Sequence, residues 1–235
     1  MRKDSIIKFI TEDKDTLELF PPVPATKQIP DWYKSVPNEL DIISQYVEKE
    51  GTPSIKRCVP VLDYLTSGYI LRNSYEVDIK PVYEDGIKGF EMHCNRDDYV
   101  AAHPWVQAPI EINGKRNHYF KIQQRWVIKT PPGYSCLIYQ PHYMFNENFT
   151  FLPAIVDTDT HDDFIGMIGI INTEEPFTIQ PGDPLVTVFP FKRESWKMET
   201  KYDENVGKHS SFKYFINGPW HGTYSKFLHR KKGYR

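Results

Sequence analysis

The residues best placed to do chemistry lie in one acidic stretch, Asp157-Thr158-Asp159-Thr160-His161-Asp162-Asp163. A carboxylate there can accept a proton or hold a sugar hydroxyl. Together with His161, the carboxylates could in principle gather around a divalent cation. The same residues have plainer uses: Asp in a tight turn hydrogen-bonds its own backbone, and an acidic loop is readily solvated. Elsewhere the candidates are few. His93 and Cys94 are adjacent rather than spaced as metal ligands, and His103 reads as a loop or core residue. No Ser has a nucleophile-elbow context, and neither a Walker sequence nor G-x-G-x-x-G occurs. The sequence therefore gives no reason to expect a metal site or a cofactor.

The three cysteines, Cys58, Cys94 and Cys136, are odd in number and lack metal-ligand spacing. They read as reduced, buried, small apolar residues of an intracellular protein. Lys+Arg is 29 against Asp+Glu 31, a formal net charge of −2. That balance gives no whole-molecule attraction to nucleic acid or to an anionic membrane. The opening residues place acids directly after a short apolar run, which suits neither a signal peptide nor a membrane span.

These residues must be held by strands. Residues 5–10 form a candidate edge strand. Residues 20–37 carry five Pro, which exclude a regular helix and predict an extended arm anchored by Trp32 and Tyr33, with a short helical turn begun at Asp31. From residue 55 onward, short apolar segments are divided by Pro and Gly, as in HYFKIQQRWVIKT, GYSCLIYQP, FIGMIGIIN and DPLVTVFPF. Such spacing predicts a mostly β sandwich or barrel. Val127, Ile128, Leu137, Ile138, Ile155, Val156, Ile168, Ile170, Leu185 and Val188 are the expected core. After Phe191 the chain turns polar, with a short helix expected around 220–231 and a basic cluster at Arg230, Lys231, Lys232 and Arg235. The cluster reads as a solvated tail or as a contact for phosphate or an acidic partner surface. The expected division is 1–54, strand and Pro-rich arm; 55–195, β domain with an insertion near 82–120; and 196–235, polar and basic extension.

Four segments in order resemble the dUTPase/dCTP-deaminase (β-clip) superfamily. They are TSGYIL (66–71), TPPGYSCLIYQPHYMF (130–145), FLPAIVDTDTHDDFIGMIGIIN (151–172) and EPFTIQPGDPLVTVFPF (175–191). The likeness covers about half the chain and implies a β-clip fold. At whole-chain level, IPDWYK, IKRCVPVLDYLTSGY and WVIKTPPGYSCL look like an uncharacterised family of tailed bacteriophages and some bacteria.

The resemblance puts Asp157 where the superfamily keeps the carboxylate that orients the attacking water. It makes Asp157, Asp159 and His142 the candidate ligand-binding residues, and it places the IVDTD turn close to the PHYM segment. Much else departs from the pattern. The Asp of the first motif is Ile70, and Tyr143 and Met144 stand where small residues let the backbone approach phosphate. Thr160 replaces an aromatic ring, and the strand around Gly169 lacks the deaminase carboxylate. Such losses predict a non-catalytic binding or structural module of bacteriophage origin. Its expected location is the host cytoplasm or the virion. Its expected partners are further copies of itself, a trimer among the options, or another phage protein, with Trp32 and Tyr33 at the interface. The alternative is a divergent nucleotide pyrophosphohydrolase or nucleotide-binding sensor.

Overall fold

The computed structural model describes residues 5–43, 48–84, 87–108, 111–112, 115–205 and 229–234. The chain divides into two compact units: Met1–Gln28 with Gly68–Arg193, and Ile29–Ser67 with Glu194–Arg235. This differs from the sequence-based division, because the Pro-rich segment is split at residue 28 and residues 29–67 group with the C-terminal part.

The larger unit is mostly β. A five-stranded antiparallel sheet runs in the spatial order Ala154–Val156, Tyr134–Tyr139, Pro184–Lys192, Tyr69–Arg72, Val23–Pro24. A four-stranded sheet runs Phe149–Phe151, Gly166–Ile171, Tyr119–Gln123, Val100–Ala102. A three-stranded sheet runs Phe177–Ile179, Val77–Glu84, Ile87–Cys94. Lys8–Ile10 pairs with Val127–Lys129. Residues 82–120, expected as an insertion, contribute to the fold itself. Val100–Ala102 pairs with Tyr119–Gln123, and Tyr99 is fully buried.

Strand periodicity decides the core. Phe120, Ile122, Gln124, Trp126 and Ile128 recur every second residue, each no more than 1% exposed. Leu185, Val186, Thr187 and Val188 are buried in succession, so that strand is covered on both faces. Ile128, Ile138, Leu185 and Val188 are core as expected, but other choices need correction. In Gly166–Ile171 the buried residues are Met167, Gly169 and Ile171, so Ile168 and Ile170 face the other way. Ile155 is 65% exposed, on a strand that ends the sheet among the described residues. Val127, Leu137 and Val156 are half-buried.

Two glycines allow close approach. A Cβ on Gly169 would lie 2.3 Å from the Phe120 ring, which is held edge-on against Phe149. Gly68 has φ +82°, and its Cβ would meet the Val188 carbonyl oxygen at 2.5 Å. Just beyond, buried Asn73 joins three segments. Its Nδ2 donates to the carbonyls of Tyr75, Ile179 and Gln180, and its Oδ1 accepts from Tyr99 OH at 2.8 Å. Burial raises the Tyr99 phenol well above its ordinary range.

Half of the Pro-rich segment is spoken for within this unit. Val23 and Pro24 pair with Ile70 and Tyr69, on an edge strand where Pro is tolerated. The other half belongs to the smaller unit, where Asp31–Ser35 is a short helix that begins at the expected residue. Tyr33 is 3% exposed, donates to the Lys56 carbonyl and meets Trp32 edge-on. The smaller unit also holds the Val59–Thr66 helix and the Glu39–Ile43/Glu48–Pro53 hairpin. Asp63 accepts from Lys232 and lies 2.9 Å from His229 Nε2. Residues 229–234 are neither helix nor strand, while the rest of the expected 220–231 helix lies outside the described residues.

The cysteines are free but not uniformly buried: Cys58 is exposed, Cys94 half-buried and Cys136 buried. Among the described residues no helix is long and apolar enough to cross a membrane.

Candidate functional site

Strand register builds the site. Tyr134–Tyr139 pairs with Ala154–Val156 so that Cys136 faces Val156, which brings Ser135 beside Asp157. The same strand pairs with Pro184–Lys192 so that Tyr134 faces Lys192, which brings Gly133 beside Arg193. The Pro131-Pro132-Gly133 turn, the IVDTD turn and the end of the Pro184–Lys192 strand therefore meet at one end of the sheet. Gly133 takes φ +85°, as its place in the turn requires.

Arg193 fills the meeting point. Its backbone N–H donates to the Gly133 carbonyl at 2.8 Å. Its guanidinium grips Asp159, with Nη1 2.8 Å from Oδ1 and Nη2 bonded to Oδ2. Nη1 also donates to the Tyr134 carbonyl at 2.9 Å, to Ser135 Oγ at 3.0 Å and to Asp157 Oδ1 at 3.3 Å. Asp159 Oδ2 further accepts from Gly133 N–H at 2.8 Å, and Asp157 Oδ1 accepts from Ser135 Oγ at 2.7 Å. The two-point fork is the geometry at which arginine outperforms lysine. The Arg193 contact, with help from Gly133 N–H, holds the Asp159 carboxyl down to about 2. In return, Asp159 and then Asp157 push the guanidinium further up.

The two carboxylates differ. The Asp159 side chain is 6% exposed and Asp157 is 63% exposed. Asp157 Oδ1 is engaged, whereas Oδ2 makes no hydrogen bond among the described residues. The Asp157 carbonyl accepts from the N–H groups of Thr160 and His161, closing the turn. Beneath it Thr158 is fully buried, 2.8 Å from Thr130 Oγ1 and donating to Cys136 Sγ. Burial pushes the Cys136 thiol up, away from thiolate reactivity. Asp162 pairs with Lys129, which also donates to the His161 carbonyl. Among the described residues no three His, Cys, Asp or Glu side chains are placed to hold a metal ion.

His142 does not join this cluster, contrary to the expected proximity of the PHYM segment and the IVDTD turn. It opens a one-turn 3-10 helix, His142–Met144, past the far end of the Tyr134–Tyr139 strand. Ser135 and Tyr139 alone are about 13 Å apart at the rise of a strand. Asp157 and His142 therefore stand at opposite ends of one strand. The PHYM segment is set by its neighbour Gln140, whose side chain bonds the Phe149 carbonyl and the Phe151 N–H. At the other replaced positions, Ile70 is 3% exposed and lies between Val23 and Thr187 in the sheet.

Sequence reading missed Arg193, Ser135 and Gly133 as partners of the acidic turn. Arg193 opens a polar run and so looked like the start of a tail. Only the antiparallel register of the two strands identifies it.

No protein-family model and no curated protein matches the chain. Among solved structures, the chain is similar to one titled as native EIAV dUTPase. That match covers 59% of this chain and 85% of the other, at 13% identity and a TM-score of 0.33.

Proposed function

We propose that this chain is a non-catalytic β-clip module of bacteriophage origin that works by binding or by assembly with further copies. One observation carries the reading: the Arg193 guanidinium engages both carboxylates of the acidic turn. Asp159, the better buried of the pair, spends both oxygens on Arg193 and Gly133. Asp157 spends one on Ser135 and Arg193. A guanidinium in this position braces a turn. A cation seeking the same carboxylates would have to displace it, and the charge-assisted fork opposes that displacement. The replacements at Ile70, Tyr143, Met144 and Gly169 remove the other groups such chemistry needs. The purified protein, given dUTP or dCTP with magnesium, is expected to give no product above background; turnover at ordinary enzyme rates would overturn the reading.

A second reading keeps a nucleotide ligand without turnover. Asp157 favours it, being 63% exposed with Oδ2 open to a sugar hydroxyl. Calorimetric titration with deoxynucleoside triphosphates separates the two: saturable heat that Asp157→Asn removes supports a sensor, and its absence leaves the assembly role.

A further inference from the structure

The core of the larger unit holds polar side chains of two kinds. Asn73 and Tyr99 bond one another, and Asn73 also serves three carbonyls. Gln124 and Trp126 are different. Each is 1% exposed, yet Gln124 Nε2, Gln124 Oε1 and Trp126 Nε1 bond no other group among the described residues. Buried side-chain polar atoms nearly always have a partner, either protein or ordered water. A Gln amide unpaired at both ends calls for a guest that can both give and accept a hydrogen bond.

The two side chains are neighbours. From Phe120 to Ile128 every second residue is no more than 1% exposed, so Gln124 and Trp126 are successive positions on one inward face. Two such positions lie about 7 Å apart along a strand, and a water between two polar atoms spans about 6 Å. Arg125, between them, has other business: its guanidinium stacks on Phe164 at 4.6 Å and Nη2 meets Glu12 at 2.9 Å.

The backbone on both sides is fixed. Gln123 N–H donates to the Tyr99 carbonyl at 2.8 Å and Gln124 N–H to the Ile165 carbonyl at 3.1 Å. Val127 to Lys129 pair with Lys8 to Ile10. The chain therefore cannot slide to bring the Gln124 amide to a protein partner. A further unpaired group stands at the same junction. Ser74 Oγ is buried without a partner among the described residues, while Ser74 N–H donates to Tyr99 OH at 3.1 Å. Tyr99 thus joins Ser74 to the run that carries Gln124.

We propose that Gln124 and Trp126 form an internal water-binding site in the core of the larger unit. One water accepts the Trp126 N–H and donates to Gln124 Oε1, and a second accepts from Gln124 Nε2. The unpaired groups are neutral, so the guest is neutral. Both donors and an acceptor are present, so the guest must do both, as water does. Phe120, Ile122 and Ile128 are apolar and fill the rest of that face, which keeps the site small. Buried waters of this kind make about three hydrogen bonds to groups that would otherwise go unpaired. The site depends on neither reading of the acidic turn.

The test uses the full chain, isotope-labelled at nitrogen. Water-selective NOE and ROE spectra read contacts of long-lived water with the Trp126 indole N–H and the Gln124 side-chain N–H groups. Both groups should show cross-peaks at the water frequency. Their NOE and ROE should have opposite signs, which sets bound water apart from proton exchange. Gln124→Met keeps the length of the side chain and removes the amide. Its urea midpoint should fall below that of the parent, and the Trp126 cross-peak should weaken with the loss of the shared water. The inference is overturned if either group in the parent lacks a long-lived water contact, a result that needs no variant. It is equally overturned if Gln124→Met is as stable as the parent or more so, because an apolar side chain of the same shape relieves an amide left unpaired in a dry core.

Discussion

The Arg193 guanidinium lies against the Asp159 carboxylate with Nη1 2.8 Å from Oδ1, joining the end of the Pro184–Lys192 strand to the turn after Ala154–Val156. A fork of this kind depends on planarity and not on charge alone. Arg193→Ala should lower the melting temperature, and Arg193→Lys should fall between it and the parent. Thermal denaturation near neutral pH makes the comparison. An unchanged midpoint for Arg193→Ala would mean that the turn holds without its clamp.

The same pair gives a pH dependence. Asp159 is held down to about 2 in the folded chain, below the unfolded value of about 3.9. A depressed carboxyl contributes stability above the unfolded value, and that contribution is lost as pH falls through the folded one. The parent should therefore be more stable than Asp159→Asn above about pH 4, with the difference closing toward about pH 2. A difference that stays constant across that range would contradict the assignment.

Gly169 tests the packing between neighbouring strands. Its missing Cβ leaves room for Phe120, a fully buried ring at 5.7 Å from Phe149 and 5.6 Å from Phe151. Gly169→Ala forces that ring against its neighbours and should cost about 1–3 kcal/mol, as overpacked cores do. Urea denaturation reads it directly. A neutral result would show that the ring can shift.

Asn73 tests the buried polar junction. Asn73→Ala leaves Tyr99 OH and three carbonyls short of their partner. Buried polar groups left unpaired cost about 1–3 kcal/mol each, so a loss of at least about 2 kcal/mol is expected. A loss of less than half that size would place water at the junction.

How much of this was readable beforehand follows from what each signal depends on. The mostly β character came from alternation and turn residues, which are local, and so did the short helix at Asp31. The 177–185 segment shows the same thing: Gly182 takes φ +94° in the Pro-Gly-Asp run between the Phe177–Ile179 and Pro184–Lys192 strands. Facing was harder. Ile168 and Ile170 are apolar, yet their neighbours Met167 and Ile171 are the ones inside, because GMIGII holds no polar residue to mark which face is which. The candidate site failed in a different way. Asp157 and Asp159 stood out by type, but their partner Arg193 lies 34 residues from Asp159, and the link is a register that no local pattern encodes. His142 was grouped with them by motif order, whereas a six-residue strand separates the two ends.

The clamp reading meets its sharpest test in the hydrolysis of dUTP with magnesium by the parent protein and by Asp157→Asn. Enzymes of ordinary efficiency turn over at about 1–1000 per second. With Asp159 engaged by Arg193 and Gly133, and Asp157 holding Ser135, a lone open oxygen has no positioned substrate to act on. Both proteins should therefore give the rate of buffer alone. Turnover by the parent within that ordinary range, abolished in folded Asp157→Asn, would make the acidic turn a catalytic site and Arg193 part of its machinery.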